Sequence, residues 1–503
     1  MIIDTVYGKL RGRQLDGYAA FLGIPYAKPP VGERRWRAPE RPEPWDGVRD
    51  ALTFSAIAMQ DKNQAIPGND PTEGHYDLKQ SEDCLYLNVW TPSTEGRHPV
   101  FLWFHGGACC CGSGNGRNAS PLPFVRRGIV FVTMNYRLGI LGFLAHPELS
   151  KESEHGVSGN YAHLDQIAAL DWVRENIASF GGDPDHIVIG GCSAGAIAAQ
   201  ALSCSPLTEG KIVGAVIESG IGMDPTSYPE SFKVDTLAEI EEGGMQFQKA
   251  LGAADIAEMR AMSYEQLAAV PDSFFRRRLH FGTTLGTCGD GYVLPIPSNE
   301  CTMTLRNHNM PYLVGTTHDE GGGFAAFISP EEFLKQSTDL FGEEVLKVFE
   351  EFPHSTKEEV RKLAHDMHTG HCAAKAFAEI QSDYDRSPVY VFDFAHRSPE
   401  TGTAHHGLET RYLLGSYHEI PGADENDERI AEQMQDYWCS FIRDLKPSAE
   451  GMPAWKPYTA AERNVLVIGD EITCQEEKEN ALQTFVRAHA VQVCRNRIEE
   501  EKQ

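Results

Sequence analysis

Five residues, Gly191-Cys192-Ser193-Ala194-Gly195, constrain this chain more than any other stretch. They follow directly on the strand-like run HIVIG at 186–190 and lead directly into the helix-like run AGAIAAQALS. A strand that becomes a helix within one residue needs a strained corner. Glycines on either side let the two backbones pass closely while the serine at the apex projects outward. The plainer alternative is a serine that caps an ordinary helix. The two readings differ in what the hydroxyl is used for.

The surroundings favour the corner. Residues 100–104 (VFLWF) and 129–134 (IVFVTM) are short apolar runs of the kind found in buried central strands. A helical pattern at about 162–179, with apolar residues three and four apart, is closed by FGGDPD before HIVIG begins. Strand, helix, strand, helix predicts a mostly parallel sheet with helices on both faces. Strand-like runs return at 311–315 (PYLVG) and 388–394 (PVYVFDF), and 474–503 reads as an amphipathic helix with a charged tail. No internal repeat or low-complexity linker interrupts the chain. The expectation is one α/β domain over 1–503, with helical insertions at about 226–310 and 328–385.

A serine hydroxyl attacks only if a base takes its proton, and that base needs an orienting carboxylate. On a sheet of this kind the chain order is nucleophile, acid, base. The segment GTTHDEGGGF places Glu320 just after the strand PYLVG, and TAHHGLETRY offers His405 and His406 in a later loop. Spacing alone does not choose between these two histidines. His105-Gly106-Gly107-Ala108 follows VFLWF, where backbone N–H groups would meet the oxyanion of a tetrahedral intermediate. The N–H of Ala194 would complete that set.

Composition excludes several other classes. A net charge of −27 argues against nucleic acid and anionic membrane as partners, since both are held by Lys and Arg. No stretch approaches the roughly 18 apolar residues of a membrane-spanning helix. The start, MIIDTVYGKLRG, lacks the basic and apolar regions of a secretory signal. Cysteines number 12, but three are consecutive (Cys109 to Cys111) and the others scattered, which suits free thiols and a cytoplasmic location. GSGNG at 112–116 lacks the spacing of a dinucleotide loop, so no cofactor is expected. His365, His368, His371 and Cys372 have helical spacing; a helix with several polar residues, rather than a metal site, is the expectation.

Several long motifs carry a resemblance: FLGIPYAKPPVGERRWRAPE at 21–40, SEDCLYLNVW at 81–90, NYRLGILGFL at 135–144, GNYAHLDQIAALDWVRENIASFGGDP at 159–184, and WCSF and PAWKPY near the end. Over nearly its whole length the chain resembles the type-B carboxylesterase/lipase family, with the character of its bacterial para-nitrobenzyl esterases. The resemblance implies an α/β-hydrolase fold and a catalytic triad of Ser193, Glu320 and His406. It implies oxyanion donors at Gly107, Ala108 and Ala194, and so chooses His406 over His405. Glu409 and Tyr412 keep the family's spacing after the base.

The departures are instructive. Cys192 stands where the family usually has Glu, and Cys109 where it often has an aromatic residue, so both are expected to line the substrate pocket with His368 and His371. Cys84 lacks the partner it has in secreted members. The loop at 60–83 has no Trp, the aromatic anchor for choline in cholinesterases. The expected function is hydrolysis of a small-molecule carboxylic ester through an acyl-enzyme, with small to medium and aryl esters as substrates. A non-catalytic binding protein on the same fold, or an amide or carbamate hydrolase, is the alternative. Oligomeric state stays open.

Overall fold

Runs rich in β-branched and aromatic residues favour strands, and VFLWF and IVFVTM both become strands buried along their length. The computed structural model describes residues 1–60, 79–115, 120–221, 235–270, 287–320, 329–368, 370–476 and 478–502. Residue contacts divide the chain into two units, Met1–Ala215 with Val234–Ser298, and Val216–Lys233 with Asn299–Gln503.

In the first unit the strands of the large sheet are β1 (Arg13–Leu15), β2 (Tyr18–Pro25), β3 (Tyr86–Thr91), β4 (His98–Phe104), β5 (Val130–Met134) and β6 (Gly182–Cys192), followed by the start of β7 (Gly214–Glu218). Their order is β1-β2-β3-β5-β4-β6. β4 runs parallel to both β5 and β6, as expected, while β1, β2 and β3 extend the sheet by antiparallel pairing. Helix α1 (Tyr161–Asn176) ends three residues before the expected boundary. Its last turn tightens into a 3-10 turn at Ile177–Phe180, which Gly181 closes at φ 77°. Helix α2 (Ala194–Cys204) joins α1 in packing on β6.

A charge in the NYRLG motif is explained here. Arg137 grips Asp165 of α1 through Nε to Oδ2 at 2.8 Å and Nη2 to Oδ1 at 2.7 Å, with both side chains buried. Removing one partner of such a pair typically costs about 3–5 kcal/mol. The first expected insertion is largely helical where described, led by α3 (Leu237–Leu251), which a Thr236–Glu239 capping box starts and Gly252 ends.

In the second unit, β8 (Tyr312–Thr317), β9 (Val389–Phe394) and β10 (Asn464–Ile468) are parallel neighbours, and β11 (Ile472–Glu476) turns back antiparallel. Helices α4 (Pro330–Phe341), α5 (Lys357–His368) and α6 (Gly370–Asp383), with a shorter one at Glu344–Phe349, lie in the second expected insertion. Then follow α7 (Leu408–Leu413), α8 (Glu425–Asp444) and α9 (Ala481–Glu501).

Helices cover both faces of this sheet. Tyr312 pairs with Val389 in register and meets Phe377 of α6 at 5.2 Å between ring centroids, so the odd residues of β9 share that face. Phe392 and Tyr390 point the other way and meet Trp438 and Phe441 of α8 at 5.0 and 6.1 Å. The insertion closes a core of its own, in which Phe333, Phe341, Val360 and Met367 pack with Leu482 and Val486 of α9. The expected helix at 474–503 is corrected at its start. Thr473 to Glu476 pair with β10, and the helix begins only after the Asn480–Gln483 capping box. Among the described residues no helix is long and apolar enough to cross a membrane.

Candidate active site

Parallel register brings the first two parts together. Phe104, the last residue of β4, stands opposite Gly191 of β6, so the chain leaves both strands at the same edge. From β4 it enters His105-Gly106-Gly107, and from β6 it reaches Ser193. Ser193 turns the corner into α2 at φ 58° and ψ −123°, a region that non-glycine residues occupy at a cost of about 1–3 kcal/mol. It holds the N-cap position, yet its side chain makes no capping hydrogen bond. The capping alternative therefore fails.

Close approach explains the glycines. A Cβ on Gly195 would stand 2.1 Å from the carbonyl oxygen of Phe104, and one on Gly106 would stand 2.8 Å from that of Cys192 and 3.3 Å from the Ser193 Cβ. The 105–108 loop thus presses directly on the serine corner. Tyr136 fixes its start, stacking on the His105 ring at 4.3 Å and donating its hydroxyl to the His105 carbonyl at 2.6 Å. The Gly107 carbonyl accepts the N–H groups of Cys110 and Cys111 at 3.0 Å each and both thiols at 3.4 Å. Positive φ at Gly107 (116°), Ala108 (51°) and Cys109 (61°) makes this tight turn. None of the hydrogen bonds among the described residues uses the N–H of Gly107 or Ala108. Ala194 heads α2, where first-turn N–H groups have no acceptor within the helix.

The second unit repeats the device. Thr317, the last residue of β8, pairs with Phe394, the last of β9, so the loops bearing Glu320 and His406 leave from one edge. They are stitched by N–H donation from His318 to the Phe394 carbonyl at 2.8 Å and from Asp319 to that of Ala404 at 3.0 Å. The Glu320 carboxylate then meets Nδ1 of His406 in a short hydrogen bond. Thr317 donates its hydroxyl to the other carboxylate oxygen at 2.5 Å. His405 turns instead to the Thr401 hydroxyl at 3.3 Å.

Burial works against the charge on His406, but the carboxylate and hydrogen bond of Glu320 outweigh it and raise its pKa from 6.5 to about 9. Burial likewise pushes Glu320 up, and His406 with the Thr317 and Ser219 hydroxyls more than reverses this, leaving it below the usual carboxylate range.

Behind this pair lies a polar network that sequence reasoning missed. Ser219 follows β7 at φ 51°, donates its N–H to the Gly315 carbonyl at 2.8 Å and its hydroxyl to Glu409. Glu218, just before it, accepts the indole N–H of Trp438 at 2.6 Å. The one signal available was a glutamate ending the apolar run GAVIE, where a strand buried along its length has no ordinary use for a charge.

The remaining expected pocket residues divide. Cys192, the last residue of β6, is buried, and Cys109, in the turn after Ala108, is half-buried. The side chains of His365, His368 and His371 lie outside the described residues. The GSGNG loop is held by the protein's own amides, with the Gly112 N–H on Gln60 at 2.9 Å and the Gly114 N–H on Asn135 at 2.8 Å. Cys84 is a buried thiol without a disulfide.

Known proteins resemble this chain over most of its length. The model of the carboxylesterase family matches residues 1–487. The para-nitrobenzyl esterase of Bacillus subtilis (strain 168) is 32% identical over 95% of this chain and 97% of its own length. The fumonisin B1 esterase of Sphingopyxis macrogoltabida is 33% identical over 94% and 87%. A solved PNB esterase superimposes with a TM-score of 0.84 at 29% identity, covering 97% of this chain and 99% of that one. Its likeness makes the fold an α/β-hydrolase fold.

Proposed function

The chain belongs to the carboxylesterase family and is a serine carboxylic ester hydrolase, and we propose that Ser193, His406 and Glu320 carry that hydrolysis through an acyl-enzyme. Ser193 Oγ attacks the ester carbonyl as His406 takes its proton. Glu320 holds the imidazole through Nδ1 and stabilises its protonated form. The N–H groups of Gly107, Ala108 and Ala194 receive the oxyanion. Collapse breaks the bond to the alcohol, which leaves with the proton from His406. Water, deprotonated by the same imidazole, then attacks the acyl-serine and releases the acid and Ser193.

The observation that carries this reading is the strained backbone of Ser193, whose hydroxyl caps nothing. Small to medium esters, aryl esters among them, are the proposed substrates. Relatives named for para-nitrobenzyl ester and pyrethroid hydrolysis support that choice, as do the small side chains at Cys109 and Cys192. One α/β-hydrolase domain with two helical insertions, working in the cytoplasm, completes the proposal. The test is hydrolysis of p-nitrophenyl esters of graded acyl length by wild type and Ser193→Ala. Loss of turnover in the variant supports the reading, and retained turnover sinks it.

A further inference from the structure

Glu218 is out of keeping with its surroundings. It ends a strand of Gly, Ala, Val and Ile, and none of its surface is exposed. Its Oε1 accepts the Trp438 indole N–H at 2.6 Å, while among the described residues its Oε2 has no hydrogen-bond partner and it forms no salt bridge. Glu409, equally buried, brings a carboxylate oxygen within 4.8 Å. Two carboxylates this close and out of water do not both ionise when no cation sits between them.

The proton has a preferred owner. Glu409 receives the Ser219 hydroxyl, a donor that favours its ionised form, whereas Glu218 has only the indole N–H. Burial, and then the charge of Glu409, push Glu218 well above the carboxylate range. Burial and the charge of Glu320 bring Glu409 up to about 7. Within the second unit, the charged groups facing the pair are Glu320 and His406.

We propose that Glu218 is a positioning residue that stands as a neutral carboxylic acid beside an ionised Glu409, limiting the negative charge behind His406. The inference rests on the assignment of His406 as the base. Every carboxylate that ionises near His406 favours imidazolium and takes the base out of its working form. A neutral Glu218 fills the buried site and holds the Trp438 N–H without adding to that charge. Glutamine reproduces the neutral acid in shape and in hydrogen bonding.

Two measurements on the full chain test this. Infrared difference spectra of wild type against Glu218→Gln, taken at about pH 9 so that Glu409, raised only to about 7, is ionised in both proteins, are expected to show the C=O stretch of a protonated carboxyl in wild type and its loss in the variant. Absence of that band from wild type, or its survival in the variant, overturns the proposal whatever the activity. The second is the pH dependence of kcat/KM for p-nitrophenyl acetate. Glu218→Gln is expected to keep the acid limb at the wild-type pH, because no charge is removed. Glu409→Gln is expected to move it to lower pH by about one unit or more, because a charge is removed. Equal shifts in the two variants would mean that Glu218 is ionised and would overturn the proposal. Ser193→Ala, run alongside, tests the triad separately. Turnover surviving there counts against the triad and leaves the infrared result standing.

Discussion

Glu320→Gln isolates what the carboxylate contributes, since the amide keeps the shape and an acceptor while the charge goes. In the native protein, burial lowers the His406 pKa and Glu320 more than reverses this, carrying it from 6.5 to about 9. At about 1.4 kcal/mol per pKa unit, that is roughly 3–4 kcal/mol in favour of the imidazolium. The His406 side chain is 31% exposed, so solvent screening trims this to about 2 kcal/mol. In the proposed mechanism imidazolium forms as Ser193 attacks, so the same energy is lost from the transition state, about 30-fold in rate. The amide also stops selecting the tautomer with a basic Nε2, a loss that reaches about 10,000-fold in serine-protease triads. The expected kcat therefore falls between these limits, with KM near wild type, in a p-nitrophenyl acetate assay.

Melting temperature against pH gives a readout free of turnover. His406 is raised above its unfolded value, so its stabilisation is complete below 6.5 and lost as pH rises through about 9. Glu320 is lowered, so its share is present above 4.5 and lost as pH falls through its depressed value. The gap between wild type and variant should be widest between 4.5 and 6.5 and close as pH passes about 9. A variant within threefold of wild-type kcat (about 0.7 kcal/mol), or a gap that widens above 6.5, would refute the reasoning.

Gly195→Ala is expected to lower stability by about 3 kcal/mol or more, because its Cβ meets the rigid Phe104 carbonyl at 2.1 Å; an unchanged melting curve would contradict this. In the cysteine run, burial pushes the Cys109 thiol up to about 12, and the Cys110 thiol, by hydrogen bonding to Cys111, makes Cys111 the easiest of the three to ionise. Iodoacetamide should therefore label Cys111 first, by peptide mapping, and slow ester turnover by disturbing the contacts to the Gly107 carbonyl. Full activity after complete alkylation would end that idea.

What the sequence made legible follows from distance along the chain. VFLWF, IVFVTM, HIVIG and PVYVFDF announce themselves because each is an apolar run with turn residues at its ends, and all four lie in strands. Ser193 was legible because its evidence, strand and glycines and helix, is local. The choice of His406 over His405 was not, since the two are adjacent and only the partner of Nδ1 separates them. Least legible were Glu218 and Ser219, whose partners Trp438 and Glu409 lie 220 and 190 residues away. The strand start misread as helix at 474 has a similar cause. ITCQE has one buried residue, and its strand character comes from pairing with β10.

Site geometry in both units depends on apolar residues as much as on polar ones. Parallel strands in register release their loops at one edge, Phe104 beside Gly191 in one unit and Thr317 beside Phe394 in the other. A slip of one residue would move a loop by about 3.3 Å and turn every side chain of that strand to the opposite face. Either change exceeds the tolerance of a hydrogen bond between loops such as that from the His318 N–H to the Phe394 carbonyl at 2.8 Å. The register is held by the buried faces. Val100, Phe101 and Leu102 lie against Ile187, Val188 and Ile189, and Leu313 and Val314 against Tyr390 and Val391. The family's long motifs fit this view, since NYRLG and HLDQ supply the buried Arg137–Asp165 clamp that ties α1 to the chain after β5. Residues that never touch a substrate thus fix where the serine, the glycine loop, the carboxylate and the imidazole stand.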